Sequence, residues 1–238
     1  MNLIVSDEFI ESWIEPHEED LAKLFILLHS LDYYGAIIED VPNTKLHEIL
    51  DSLDIKNSFT AFNRKTIIKP NKNPSEMALF RNNYDFIVFH CRNAEITKWA
   101  CQDQRIDCLS FPLEEIHILA DDSTIKLAKE QDKAIEIDYS EIVHKKNPIG
   151  LLRNLKKVFF KAVKKNLPVI LSSRAHNKYE LRSICSILGV LNFLDVEEKY
   201  YKEISQKWLI NRLGRNTKRK NESFVVPGVH IKEQEELQ

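Results

Sequence analysis

DDSTIKLAKEQDKAIEIDYSEIVHKKNPIGLLRNLKKVFFKAVKKNLPVILSS, residues 121–173, decides the fold. Two short apolar runs, 134–138 and 168–172, each follow a segment with apolar residues at helical spacing. Over 148–166, Leu151, Leu152, Leu155, Val158, Phe159, Ala162 and Val163 form one apolar face. Several of the strand candidates along the chain are near-continuous in Ile, Val, Phe and Leu, as strands covered on both sides are. Asp121 and Ser123 stand where they can cap the first helix, and Pro148 stands at the start of the second. Helix, strand, helix, strand in this spacing is the signature of right-handed crossovers onto a parallel sheet.

Working outward, the rhythm persists. Strands are expected at 9–14, 35–38, 59–68, 85–90 and 107–111, and helices at 18–30, 44–53, 74–82, 94–102 and, after the second run, 178–191. Seven such units in 238 residues fit a single α/β domain, a TIM-like (β/α) barrel, better than an open doubly wound sheet. The barrel is expected over 1–213. Residues 214–238 are expected to be a basic loop (Gly214 to Asn221), a short strand at 224–231 and an acidic tail.

Hydrophobic residues make up 43% of the chain, enough for a core. No apolar run approaches the ~18 residues of a membrane span, and the acidic start does not resemble a signal peptide. Four cysteines without a CxxC pair suit free thiols in a reducing cytoplasm. The net charge of −2 hides a segregation. Residues 1–143 hold 14 Lys/Arg against 27 Asp/Glu, and residues 144–220 hold 19 against 5. Such an imbalance suits a polyanion or an acidic protein partner.

Signs of catalysis are sparse. Barrel enzymes place their chemistry at the C-terminal ends of strands. Those ends here hold Glu39, Asp40, His90, Asp138, Ser172 and Ser173, which form no known set. A metal-dependent phosphoesterase barrel needs clustered histidines, and the eight in this chain are scattered. His90 is the best lone candidate ligand. Glu136 and Asp138 share a strand face and fit a hydrogen-bonded pair near the rim better than a metal site. There is no GxGxxG, Walker loop or GxSxG.

Basic residues say more. Arg153, Lys157, Lys161 and Lys164 recur at i, i+4, i+8 and i+11 on the helix over 148–166, forming a cationic stripe away from the apolar face. Solvated faces usually mix signs, yet no acid occurs between Glu141 and Glu180. The last strand ends in Ser172-Ser173-Arg174, and Lys178 and Arg182 lie four apart on the helix expected next. Arg215, Arg219 and Lys220 follow in the basic loop. Trp13, Trp99 and Trp208 are too dispersed for a single-strand stacking platform. The expected mode is therefore recognition of backbone and shape in a structured RNA.

The stretches IDCLSFP (106–112), LAKEQDKAIEI (127–137) and PVILSSRAHNKYELR (168–182) resemble, in order and spacing, the ribonuclease P protein component 3 family. The closing VPGVHI (226–231) is similar to that family's terminal strand. About half of the chain carries the resemblance. It implies a TIM-like barrel without a catalytic centre of its own. The particle's chemistry, removal of the 5′ leader from precursor tRNA, would belong to its RNA, with Mg2+ held there and no cofactor on this chain. Implied partners are the ribonuclease P RNA, the component 2 protein, the other protein subunits and, indirectly, precursor tRNA, with no membrane. Lys178 and Arg182 match cations that the resemblance places against RNA or partner; Arg174 matches a variable position. The G-R-K-D-x-G-I-D-H-V segment of many archaeal members is here Leu113 to Asp122, without its arginine and Asp-His pair. The family's Pro-Arg is Ile184-Cys185. The competing reading is a free-standing metal-dependent phosphoesterase or nuclease. A third, a protein-docking scaffold, is compatible with the first.

Overall fold

The computed structural model describes residues 8–16, 21–69, 74–220, 224–226 and 229–230. Seven parallel strands run in chain order: β1 (Phe9–Ile14), β2 (Tyr33–Glu39), β3 (Thr60–Ile67), β4 (Phe86–His90), β5 (Cys108–Ser110), β6 (Ala134–Asp138) and β7 (Val169–Ser172), each paired with the next. Helices α1 (Leu21–Ser30), α2 (Asn43–Asp51), α3 (Pro74–Asn83), α4 (Ala94–Gln102), α5 (Ile116–Leu119), α6 (Asp122–Glu130), α7 (Ser140–His144), α8 (Ile149–Lys164) and α9 (Ile184–Phe193) alternate with them. A continuous helix, α10 (198–219), ends the barrel and contains a π-helical stretch, Tyr201–Gln206. The expected TIM-like α/β barrel is what forms.

Alternation along the strands sorts two cores. Ile10, Ile37, Phe86, Val88, Cys108, Ala134 and Ile170 fill the interior, and Leu209 and Leu213 of α10 close it from below. The larger core lies between strands and helices, with Leu24, Phe25, Leu28, Leu155, Val158 and Phe159 among its members. Gly35 is demanded by close packing of β2 on β3, because a Cβ there would lie 2.6 Å from the carbonyl oxygen of Thr60. Among the described residues, Gly150, Gly189 and Gly214 lie within helices. Asp132, Asn166 and Asp195 adopt positive φ just after α6, α8 and α9, a role short polar side chains tolerate.

Seven strands leave a seam where an eight-stranded barrel has its eighth. β1 and β7 meet through one bridge, Ile14 to Ala175, and the Glu15 N–H donates to the Ala175 carbonyl at 3.0 Å. Along the rest of the seam, side chains replace the ladder. Val169 N donates to Ser205 Oγ (3.1 Å) and Leu171 N to the Tyr201 hydroxyl (3.3 Å). Ser173 N donates to Glu11 Oε1 (3.0 Å), and Ile10 N to Gln206 Oε1 (3.0 Å). Backbone donors at a buried edge must be paired. The π turn, wider than an α turn, puts Tyr201, Ser205 and Gln206 on one face to do it.

Three expectations need correction. Residues 178–183 are not helical. His176 N donates to Glu180 Oε2 and Asn177 Nδ2 to Glu180 Oε1, both at 2.8 Å, and Tyr179 N donates to Asn177 Oδ1 at 3.0 Å. These side chains take the backbone donors a helix would use, and Ser183 then caps α9 by accepting from Ser186 N. The basic stretch after Leu213 is helical to Arg219, because its polar residues anchor to the barrel floor as described below. The run at 224–231 is two short strands, Phe224–Val226 and Val229–His230, paired antiparallel. Ile231 and the acidic tail lie outside the described residues.

Candidate RNA and partner interface

The barrel mouth, where related architectures hold chemistry, is filled by an ion pair. Arg64 enters from β3, fully buried. Its Nη1 donates to Glu136 Oε1 (2.8 Å) and to the Ser12 carbonyl (2.7 Å). Its Nη2 donates to Glu136 Oε2 (2.9 Å) and Thr66 Oγ1 (2.9 Å). Its Nε lies 2.9 Å from Glu39 Oε2, off the line of a hydrogen bond. Burial works against the guanidinium charge, but Glu136 and Glu39 outweigh it and leave its pKa above the usual value. Burial raises the carboxyl of Glu39 despite Arg64. Above this pair, the Trp13 ring has Arg64 at 4.4 Å and Arg174 at 4.6 Å from its centroid.

Glu136 and Asp138 do share the inner side but not a bond. Asp138 accepts from Ser140 N at 2.9 Å and lies 3.8 Å from Arg174, and burial raises its carboxyl. His90 shares a hydrogen bond with Ser110 Oγ at 2.9 Å, and its pKa is lowered by burial and by Arg92 and Arg174. Among the described residues, no three His, Cys, Asp or Glu side chains converge as a metal site. Cys91, Cys101, Cys108 and Cys185 are free thiols, the first three buried with raised pKa values.

The floor holds the opposite arrangement. Asp132 accepts from Trp208 Nε1 (2.8 Å) and pairs with Arg215 (2.7 Å) and Arg212 (3.0 Å). Partial burial opposes its charge, but Arg215, Trp208 and Arg212 hold the carboxyl below its usual range. Asp107 pairs with Arg81 at 2.6 Å and accepts from Asn216 Nδ2 at 3.0 Å. Lys220 reaches Asp85 at 2.7 Å. Arg215 and Lys220, expected in a free loop, therefore clamp α10 to the barrel, while Arg219 is exposed at the helix end.

The other cations separate into two groups. On α8, Arg153, Lys157 and Lys164 are exposed, and Lys161 is half-buried against Asp122 at 3.3 Å. Lys164 lies over the Phe160 ring at 4.1 Å. Arg153, Lys156, Lys157, Phe160, Val163 and the turn Leu194–Val196 line a cleft of about 560 Å3. At the mouth, Arg174 sits at φ 46° after β7 and binds Glu15 at 2.9 Å. Lys178 packs on the Tyr179 ring, and Arg182 donates to the carbonyls of Tyr179 and Leu181. Sequence reasoning missed Arg64, whose strand TAFNRKTI reads as half-solvated. It also missed Glu11 and the seam side chains of α10. Arg64 and Glu11 lie mid-strand and Tyr201, Ser205 and Gln206 carry no charge, so no sequence pattern marked them.

The family model described as RNase P subunit p30 matches residues 6–221. The chain belongs to the RNase P subunit p30 family. Two curated relatives of this p30-family chain are both named ribonuclease P protein component 3. The one from Methanosarcina barkeri is 26% identical over 187 residues, covering 76% of this chain and 77% of the relative. The one from Methanosarcina acetivorans is 25% identical over 170 residues, covering 71% and 70%. Among solved structures, a chain of an archaeal ribonuclease P determined with mature tRNA superposes with a TM-score of 0.78 at 23% identity, covering 96% of this chain and 100% of that one. An organophosphorus hydrolase from Deinococcus radiodurans shares the fold more loosely (TM-score 0.52, 8% identity, 86% and 93% covered).

Proposed function

We propose that this p30-family chain is a non-catalytic protein subunit of ribonuclease P, supporting RNA-catalysed removal of the 5′ leader from precursor tRNA. The family match over residues 6–221 carries the reading. The barrel mouth supports it, since the Arg64–Glu136 pair occupies the ground a barrel phosphoesterase needs for its metals. Catalysis and Mg2+ belong to the RNA, and component 2 is the protein neighbour. No helix among the described residues is long and apolar enough to cross a membrane. The exposed cations of α8, with Arg174, Lys178, Arg182 and Arg219, face these partners, whereas Arg215 and Lys220 serve first to hold the fold.

Reconstitution tests this. Precursor tRNA is incubated with catalytic RNA and component 2, with and without this chain, at moderate Mg2+, beside the chain alone. Cleavage enhanced only when the chain joins the RNA and component 2 is expected. Cleavage by the chain alone, stopped by EDTA, overturns the reading in favour of a metallonuclease.

A further inference from the structure

Helix α8 spends its apolar residues on two faces. Leu151, Leu155, Val158, Phe159 and Ala162 are buried in the outer core. Phe160 and Val163, one turn apart, point elsewhere and remain 62% and 37% exposed. They meet Leu194 and Val196, from the turn after α9, in the cleft described above. Its apolar floor is bordered by Arg153 and Lys157, for which no ion pair occurs among the described residues. The one acid lining it, Asp195, is already bound by Lys156.

We infer that this cleft is a docking site for a protein segment carrying a large apolar side chain flanked by carboxylates. The occupant follows from complementarity. A phosphate backbone would satisfy Arg153 and Lys157 but leave the exposed Phe160 and Val163 in water above the buried Leu194 and Val196. An apolar side chain with Asp or Glu within a helical turn satisfies both floor and rim, and a volume of about 560 Å3 accommodates more than one such side chain. The inference rests on the subunit reading, because it gives this face to a protein of the particle and not to its RNA.

The test is site-specific photocrosslinking in the assembled particle. Phe160→p-benzoylphenylalanine keeps an aromatic side chain at an exposed position. The labelled chain is combined with purified RNA and the other purified protein subunits, and incorporation is checked by co-migration before irradiation. The expected product survives ribonuclease and maps to a peptide with an apolar residue next to Asp or Glu. Its yield falls at least tenfold when Arg153→Glu and Lys157→Glu are added, with circular dichroism unchanged. A cross-link to RNA, a cross-link to a peptide without acidic residues, or none in a particle that has assembled overturns the docking site and leaves the subunit reading intact. A labelled and an unlabelled chain that both fail to enter the particle overturn the subunit reading, and the docking site with it.

Discussion

Arg64 and Glu11 are the residues on which the barrel's interior turns. Taking Arg64 out of water is costly, and two carboxylates and a carbonyl repay it only together. Arg64→Ala leaves Glu136 and Glu39 buried without their counterion and is expected to cost about 3–5 kcal/mol, read by urea denaturation. An apolar replacement of the whole trio would cost far less. Glu11 is the pH-sensitive group. Burial pushes its carboxyl up to about 7, against the hydrogen bonds from Ser173 and Trp13, and Glu136 adds to the rise. Tyr33, Tyr139 and Tyr201 crowd the same place and bring no cation. A carboxyl whose folded pKa lies above its unfolded value stabilises the fold when protonated. That contribution is whole below about 4.5 and is lost as pH rises to about 7, a change of roughly 3 kcal/mol. Unfolding free energies of the chain and of Glu11→Gln, measured between pH 5 and 8, are expected to show the decline with rising pH in the first and a flatter profile in the second.

Among the elements, α10 and α8 carry the clearest consequences. Gly214 lies inside α10, and a Cβ there meets nothing within 4 Å. Gly214→Ala therefore removes a helix penalty at no steric cost and is expected to stabilise by about 0.5–1 kcal/mol, seen as a higher denaturation midpoint. On α8, Arg153→Glu, Lys157→Glu and Lys161→Glu together leave the buried face intact. Helicity is expected to be unchanged, while assembly of the particle weakens and its salt dependence becomes shallower, because fewer opposite charges meet across a protein contact. The phase of α8 was legible from the sequence because a sixteen-residue amphipathic helix repeats its pattern several times over. The apolar role given to Val163 was not, since periodicity cannot tell a core residue from one lining a surface cleft. The end of α10 was equally hidden. Gly214, Asn216 and the basic residues around them look like a loop until Asp85, Asp107 and Asp132, more than 80 residues away in most cases, supply partners. The helix misplaced at 178–183 failed for the converse reason, a local competition by Asn177 and Glu180 that leaves the apolar spacing untouched.

For the molecule as a whole, the strand order was readable because each βα unit announces itself locally, whereas closure was not. It depends on pairing between the two ends of the barrel. Ile10 and its acceptor Gln206 are 196 residues apart, and the other seam acceptors on α10, Tyr201 and Ser205, come equally late. Closure also depends on a single oxygen at each point. Gln206→Ala strands the Ile10 N–H and is expected to cost about 1–3 kcal/mol in thermal or chemical unfolding. The same arrangement sets a schedule for synthesis. A nascent chain emerging from the ribosome carries all seven strands and most of its helices before Gln206, the acceptor for Ile10 on the edge of β1, has been made. Until 198–219 have left the exit tunnel, the seam is held only near its mouth by Ser173 and Ala175, and the backbone donors of Ile10, Val169 and Leu171 lie open as an edge that other chains can pair with.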